Sequence, residues 1–267
     1  MTSHPSPVPA PGVTVDVAGG TVSTAHRNGV SYVTFHHPKS NSLPGALLRE
    51  LAATITRVGA DPATRVIQLA SGGTGAFCAG ASFDELVAIN NAQDGQEFFS
   101  GFSRVILAML RVPQFVVTRV HGRAAGGAVG LIAASDLSLA VQSATAKLSE
   151  LAIGIGPFVV GPVIERKIGL AAFSAMAVDA DWRDAAWGER HGLYSRVFDD
   201  LASLDVAIDA EVNKLAACNP EAMAQLKRVF WAGTEQWDTL LAERALMSGT
   251  MVLSEFTRQA ISSFKAR

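Results

Sequence analysis

The chain has 267 residues, 49% of them hydrophobic and 17% charged, which is enough apolar side chain for a sizeable core and excludes a wholly disordered protein. Its formal net charge of −2 gives no general attraction to nucleic acid or to an anionic membrane, so any phosphate contact has to come from a local cluster. Two cysteines, Cys78 and Cys218, make neither a disulfide framework nor a metal set, and no apolar run is long enough to span a bilayer; a cytoplasmic, metal-free protein is the expectation.

Residues 1–20, with Pro5, Pro7, Pro9, Pro11, Gly19 and Gly20 and few large apolar side chains, are expected to form a flexible tail. Strands follow, and the alternation Val30-Ser31-Tyr32-Val33-Thr34-Phe35 predicts one of them. Residues 36–41 read as a loop, with His36 and His37 expected in solvent. Leu47, Leu48, Leu51, Ile55 and Val58 recur at helical spacing behind Pro44, which predicts a helix over 44–58. A short buried strand over 65–70 comes next, then helices over about 82–91 and 94–111, and an apolar strand over 115–120. The glycine-rich segment 122–130 runs into a helix, and a strand is expected over 136–141. Beyond Pro157 the pattern is helical apart from a strand at 193–197. Strands alternating with helices, then a helical C-terminal part, predict an α/β core over 21–200 and a C-terminal helical region over 201–267.

Two segments share one design, a strand that delivers the chain to a Gly/Ala-rich turn leading into a helix. They are Gly75-Ala76-Phe77-Cys78-Ala79-Gly80-Ala81-Ser82 and His121-Gly122-Arg123-Ala124-Ala125-Gly126-Gly127-Ala128-Val129-Gly130. Glycine leaves no side chain between a ligand and the amide, and a helix N-terminus carries unpaired N–H donors at the positive end of its dipole. One such turn is a modest anion site, whereas two converging turns make an oxyanion hole. Neither is a dinucleotide fingerprint, because the G-x-G opening is missing, and neither is a phosphate loop, because no Gly-Lys-Ser/Thr follows. Close helix–strand packing explains either cluster taken singly.

Taken together and in this order, the segments resemble the crotonase superfamily, the enoyl-CoA hydratase/isomerase family. Phe77-Cys78-Ala79-Gly80-Ala81 is similar to its first oxyanion segment, F-C-A-G-A-D, and the stretch from Phe115 to Asp136 to its second, a strand followed by G-x-A-x-G-G. Ser149-Glu150-Leu151-Ala152-Ile153-Gly154-Ile155-Gly156-Pro157 is similar to a third block, P-E-x-x-x-G-x-x-P, and the resemblance runs over about 22–267. It implies a crotonase-like spiral of ββα units with a C-terminal helical oligomerisation region, assembled as a homotrimer or homohexamer. It also implies an acyl-CoA thioester as substrate and no cofactor beyond the coenzyme A that the substrate carries.

By the same resemblance the oxyanion donors are the N–H groups of Ala81 and Gly127, with Ala79, Gly80 and Gly126 beside them against the substrate. Lys39, in the loop that passes the nucleotide, and Phe264 and Lys265 near the C-terminus are implied coenzyme A contacts; a solvated charge is the equal alternative for each lysine. The acyl pocket is expected from 82–110, including Phe98, Phe99 and Phe102, which also fit plain helix packing.

Family hydratases use two glutamates. The first of these positions is Gly130 here, and only the second, Glu150, remains. A single carboxylate suits a proton shuttle between two carbons, so double-bond isomerisation of an enoyl-CoA is the leading expectation. Hydration of a 2-enoyl-CoA, thioester hydrolysis or decarboxylation, and a catalytically silent CoA-binding scaffold stay open. Asp84 and Glu85 are expected to cap a helix, Asp136 to buttress the sheet edge, Cys78 to pack as a small buried residue, and His121 to bond to backbone.

Overall fold

The computed structural model describes residues 12–265, with side chains through residue 263. In chain order the elements are β1 (Thr14–Val17), β2 (Gly20–Arg27), β3 (Val30–His36), α1 (Gly45–Ala60), β4 (Val66–Ser71), α2 (Phe83–Val87), α3 (Ala92–Arg111), β5 (Phe115–Val120), β6 (Ala124–Ala125), α4 (Gly127–Ala133), β7 (Leu137–Val141) and β8 (Thr145–Lys147). After a single 3₁₀ turn at Leu151–Ile153 come α5 (Gly161–Asp179), β9 (Arg183–Asp184), α6 (Ala185–Arg190), β10 (Arg196–Phe198), α7 (Leu201–Ala216), α8 (Pro220–Phe230), α9 (Trp237–Met251) and α10 (Glu255–Lys265).

Seven strands form one sheet in the order β1-β2-β3-β4-β5-β7-β10, and β6-β8-β9 form a second, small one. The first three strands pair antiparallel, as hairpins do; β3, β4, β5, β7 and β10 run parallel, each step crossing over through helix. Parallel strands covered on both faces need apolar side chains throughout, and Phe115-Val116-Val117-Thr118 is buried without a break. Leu47, Leu48, Leu51 and Ile55 of α1 are each at most 1% exposed and lie along one stripe of that helix. Pro44 occupies the N-cap of α1, and the missing side-chain cap is supplied from outside: Glu85 Oε2 accepts the Gly45 N–H at 2.8 Å.

Several boundaries differ from the sequence reading for identifiable reasons. The tail expected over 1–20 does not extend to residue 20, because Thr14–Val17 pairs with β2 in the register Thr14↔Ser23; residues 1–11 lie outside the described residues. The division at 200/201 falls inside the main core. Leu204, Ile208 and Val212 of α7 are buried in the same cluster as the strands, so the C-terminal region starts with a helix of the core. The helix expected over 82–91 stops at Val87, and α3 begins at Ala92 because Asn91 Oδ1 accepts the Asp94 N–H at 2.9 Å and caps it. The strand expected over 193–197 is β10, shifted to 196–198, while Leu193 and Tyr194 are buried ahead of it.

Asp136, expected at the sheet edge, instead buttresses β5, an interior strand between β4 and β7. Its Oδ2 accepts the Val116 N–H at 2.8 Å and pairs with Lys227 Nζ at 3.0 Å, and its Oδ1 accepts the Trp231 indole N–H at 3.2 Å. Both charged side chains of this pair are almost fully buried, and Lys227 also donates to the Gln114 carbonyl at 2.6 Å, so the desolvated ammonium is matched by two acceptors. The pair fastens α8 to the strand that feeds the second glycine turn. His36 and His37 are not in solvent: His36 ends β3, and His37 is 8% exposed with its Nδ1 accepting the Lys39 N–H.

Candidate active site

The two glycine turns are hydrogen-bonded to each other. Cys78 N–H donates to the Arg123 carbonyl at 3.1 Å and Ala125 N–H to the Cys78 carbonyl at 3.0 Å, a parallel bridge that fixes one turn against the next. A second parallel bridge holds Leu43 to Ala81 through Leu43 N–H to Gly80 O (2.8 Å) and Ser82 N–H to Leu43 O (3.2 Å). In such a bridge the N–H of Ala81 itself faces away from Leu43. Gly126 has φ +56° and ψ −123°, which only glycine adopts without strain, and it turns the chain from β6 into α4. Its own N–H is tied to the Lys147 carbonyl of β8 at 2.9 Å. Gly127 is then the first residue of α4, where an N–H has no intrahelical acceptor. Among the described residues, neither the Ala81 nor the Gly127 N–H donates to a backbone carbonyl.

Ala79, Gly80, Ala81, Gly126 and Gly127 line a single cavity of 180 Å³, and Glu150 lines it too. Glu150 opens the 3₁₀ turn after β8, and its carbonyl accepts the N–H groups of Ile153 and Ile155 at 3.2 and 3.0 Å, which holds the turn shut. Its carboxyl reaches back toward α4, so close that a Cβ on Gly126 would lie 3.2 Å from Oε1. Oε2 is buried with no hydrogen-bond partner among the described residues. Burial pushes the Glu150 carboxyl up to about 7, with the backbone N–H groups of Glu150 and Ser149 offsetting only part of the desolvation. Among the described residues lining the cavity it is the one ionisable side chain. Apart from Ser149 and Ser248 the side chains of the rest of the wall are apolar, with Phe98, Phe99 and Phe102 of α3 all present.

Gly130 is packed, not vacant. A Cβ there would lie 2.6 Å from Val160 Cγ1 and 2.9 Å from Val160 Cβ, with Ile106 Cδ1 at 3.3 Å. Nothing in the sequence around Gly130 signals this, because Val160 and Ile106 arrive from other elements. Ser248, brought in by α9, is a further lining residue that local pattern could not reveal; α9 lies against α3 so closely that a Cβ on Gly95 would meet Gly249 Cα at 2.5 Å.

The remaining candidates are placed as follows. Lys39 Nζ pairs with Asp84 Oδ2 at 2.5 Å on the surface, beside a 730 Å³ groove that shares Ala79, Ala81 and Phe83 with the cavity. Asp84 is thus a partner for Lys39, Glu85 caps α1, and Ser82 Oγ, where the family motif has an acid, accepts the Glu85 N–H at 3.4 Å as N-cap of α2. The side chains of Phe264 and Lys265 lie outside the described residues. Among the described residues His121 does not bond to backbone: both ring nitrogens are buried with no partner there, the ring stands edge-on to Phe77 at 6.5 Å, and burial together with Arg119 pulls its basicity below the usual histidine range. Cys78 is fully buried and burial pushes its thiol up to about 12, which suits packing and not nucleophilic attack. No group of three or more His, Cys, Asp or Glu among the described residues is arranged to hold a metal, and no described helix is long and apolar enough to cross a membrane.

Two N–H-bearing turns, one elevated carboxyl and an apolar chamber define an acyl-processing site, able to hold a carbonyl oxygen and move a proton beside it. Residues 25–265 match the family model for enoyl-CoA hydratase/isomerase, and the chain belongs to that family of acyl-CoA enzymes. It is 32% identical over 198 residues to a protein of Rhizobium meliloti named probable enoyl-CoA hydratase, covering 73% of this chain and 75% of that one. It is 25% identical over 212 residues to the bacillaene synthase dehydratase PksH of Bacillus subtilis, covering 78% and 79% respectively. An enoyl-CoA hydratase crystal structure from Mycobacterium avium superposes with a TM-score of 0.81 at 25% identity, over 92% of this chain and 96% of that one. The fold is the crotonase fold.

Proposed function

We propose that the protein isomerises the double bond of an enoyl-CoA. The thioester oxygen sits between the N–H groups of Ala81 and Gly127, which stabilise it as negative charge develops. Glu150, as carboxylate, takes a proton from the α-carbon of a 3-enoyl-CoA to give a dienolate and returns it to the γ-carbon, so that a 2-enoyl-CoA leaves with no atom gained or lost. Ala79, Gly80 and Gly126 flank the thioester, and the groove beside Lys39 gives the pantetheine arm a path to the surface; Phe264 and Lys265 are assigned to the nucleotide end.

The observation that carries this reading is the packing around Gly130. Val160 and Ile106 fill the space a second carboxylate would need, so among the described residues Glu150 is the one carboxylate that lines the cavity. A carboxyl near pH 7 is matched to both halves of a shuttle, giving and taking a proton with little cost either way. Hydration of a 2-enoyl-CoA is the second reading, favoured by the names of the relatives. Mass analysis of products from paired 3-enoyl and 2-enoyl esters separates the two. The expected product of the 3-enoyl ester has unchanged mass, and rapid conversion of the 2-enoyl ester to a product one water heavier overturns the isomerase assignment.

Gly130→Glu is expected to lower stability by about 1–3 kcal/mol through overpacking against Val160 and Ile106, and to add no hydration. Thermal unfolding and the same mass assay check both parts.

We assign the assembly to a homotrimer or a dimer of trimers, supported by exposed apolar side chains on α5 (Leu170, Val178) and the C-terminal helices (Val229, Phe230, Met247, Met251). Two unpaired cysteines, one of them the exposed Cys218, suit the cytoplasm.

A further inference from the structure

The acyl chamber has a small volume and a largely apolar wall. Its 180 Å³ is little more than the roughly 150 Å³ of an apolar cavity that holds one benzene, and the thioester takes up the end next to Ala81 and Gly127. Phe98 and Phe99 line the chamber and stand edge to face with centroids 5.0 Å apart. They pack against a second apolar cluster, separate from the main core, formed by Leu86, Ile89, Ile155, Val252 and Ile261, each no more than 9% exposed, of which Leu86 and Ile155 also line the chamber. That cluster joins α2, the 3₁₀ turn and the C-terminal helices, and Thr257 Oγ1 donates to the Gly154 carbonyl at 3.3 Å to hold α10 on the turn. A chain that outgrows the chamber therefore meets packed apolar side chains on this wall. Among the described residues no lysine, arginine or histidine lines the chamber, so a second carboxylate on the acyl group would be desolvated without a counter-charge in a space that already holds Glu150.

Building on the acyl-CoA reading above, we propose that the enzyme is selective for compact, uncharged acyl groups of about six or seven carbons, rings included, and that Phe98 and Phe99 set the limit. Each methylene that enters an apolar pocket raises affinity about fourfold, so binding climbs with chain length until the chain meets the ring pair. Past that point a longer chain has to displace packed side chains, and affinity falls.

Calorimetric titration of the intact protein with saturated butanoyl-, hexanoyl-, benzoyl-, decanoyl- and succinyl-CoA tests this apart from turnover. Hexanoyl-CoA is expected to bind about fifteenfold more tightly than butanoyl-CoA, benzoyl-CoA in the same range as hexanoyl-CoA, and decanoyl- and succinyl-CoA at least about tenfold more weakly than hexanoyl-CoA. Phe98→Leu and Phe99→Leu are expected to narrow the decanoyl-to-hexanoyl ratio. Decanoyl- or succinyl-CoA binding as tightly as hexanoyl-CoA to the unaltered protein overturns the size and charge limit and leaves the acyl-CoA reading standing. A ratio unmoved in both variants removes the assignment to Phe98 and Phe99. Absence of binding by all five esters overturns the acyl-CoA reading itself, and this proposal with it.

Discussion

Glu150→Gln is expected to lower kcat on a 3-enoyl-CoA by about 10²–10⁴-fold, with acyl-CoA affinity close to that of the unaltered enzyme. The amide keeps the shape of the carboxyl and loses the proton transfer, and among the described residues no other ionisable side chain lines the chamber to take it over. The pH dependence follows from the elevated carboxyl. The carboxylate is the form that removes the α-proton, so kcat/KM should rise through about pH 7 and level off above it. Stability should run the other way. Burial holds the folded-state value near 7 against the ordinary 4.5, so the folded state keeps its proton while the unfolded chain has lost it. That contribution is full below about pH 4.5, is lost as pH rises to about 7, and amounts to about 3 kcal/mol. A neutral glutamine escapes the loss, so the variant should gain thermal stability over the parent as pH goes from 5 to 8. Parental turnover in the variant would remove Glu150 from the reaction. A stability difference that stays flat across that range would mean that its carboxyl is better solvated than its surroundings imply.

The parts of the site that follow from backbone geometry were legible in the sequence, because only certain residues permit that geometry. Gly126 has to be glycine for its φ of +56°, and Gly127 stands at a helix start where an amide is free by construction. The motif around Phe77 and Gly80, and Glu150 within its block, are singled out by their resemblance to the family's blocks. Elements of two or three residues were not legible. β6, β8 and β9 have no periodicity to detect, yet β6 leads into the turn that carries Gly127 and β8 pairs with β6 and accepts the Gly126 N–H. Side chains that meet only after folding were equally out of reach. The sequence shows that Gly130 lacks a carboxylate, but not that Val160 and Ile106 close the space. The surroundings of His121 also depend on tertiary packing: a polar ring between two turns reads as a hydrogen-bonding residue, and it is enclosed beside Phe77 with neither nitrogen paired.

Gly127→Ala should have the other large effect, a loss of about 10²–10³-fold in kcat, the cost of displacing one oxyanion donor. The cause is not backbone conformation, since Gly127 lies in a helix, where alanine is ordinarily the better residue. It is the ring of Phe102. A Cβ on Gly127 would lie 2.5–2.6 Å from three atoms of that ring, and Phe102 is itself 5% exposed on α3. Accommodation requires α4 to back away, which moves the N–H off the thioester oxygen, or Phe102 to turn into the acyl chamber, which obstructs the substrate. Overpacking of this kind costs about 1–3 kcal/mol of stability, so the variant should still fold. Phe102→Leu in the Gly127→Ala background removes the colliding ring atoms and should restore a measurable part of kcat, although Phe102→Leu alone only enlarges the chamber. A double-mutant cycle in kcat/KM should therefore show coupling above about 1 kcal/mol between the two positions, as residues in direct contact do. Additive effects would mean that the first residue of α4 is glycine for some reason other than the ring beside it. In that case the donor's position would depend on Gly126 and its hydrogen bond to Lys147 rather than on how tightly α3 packs against the helix start.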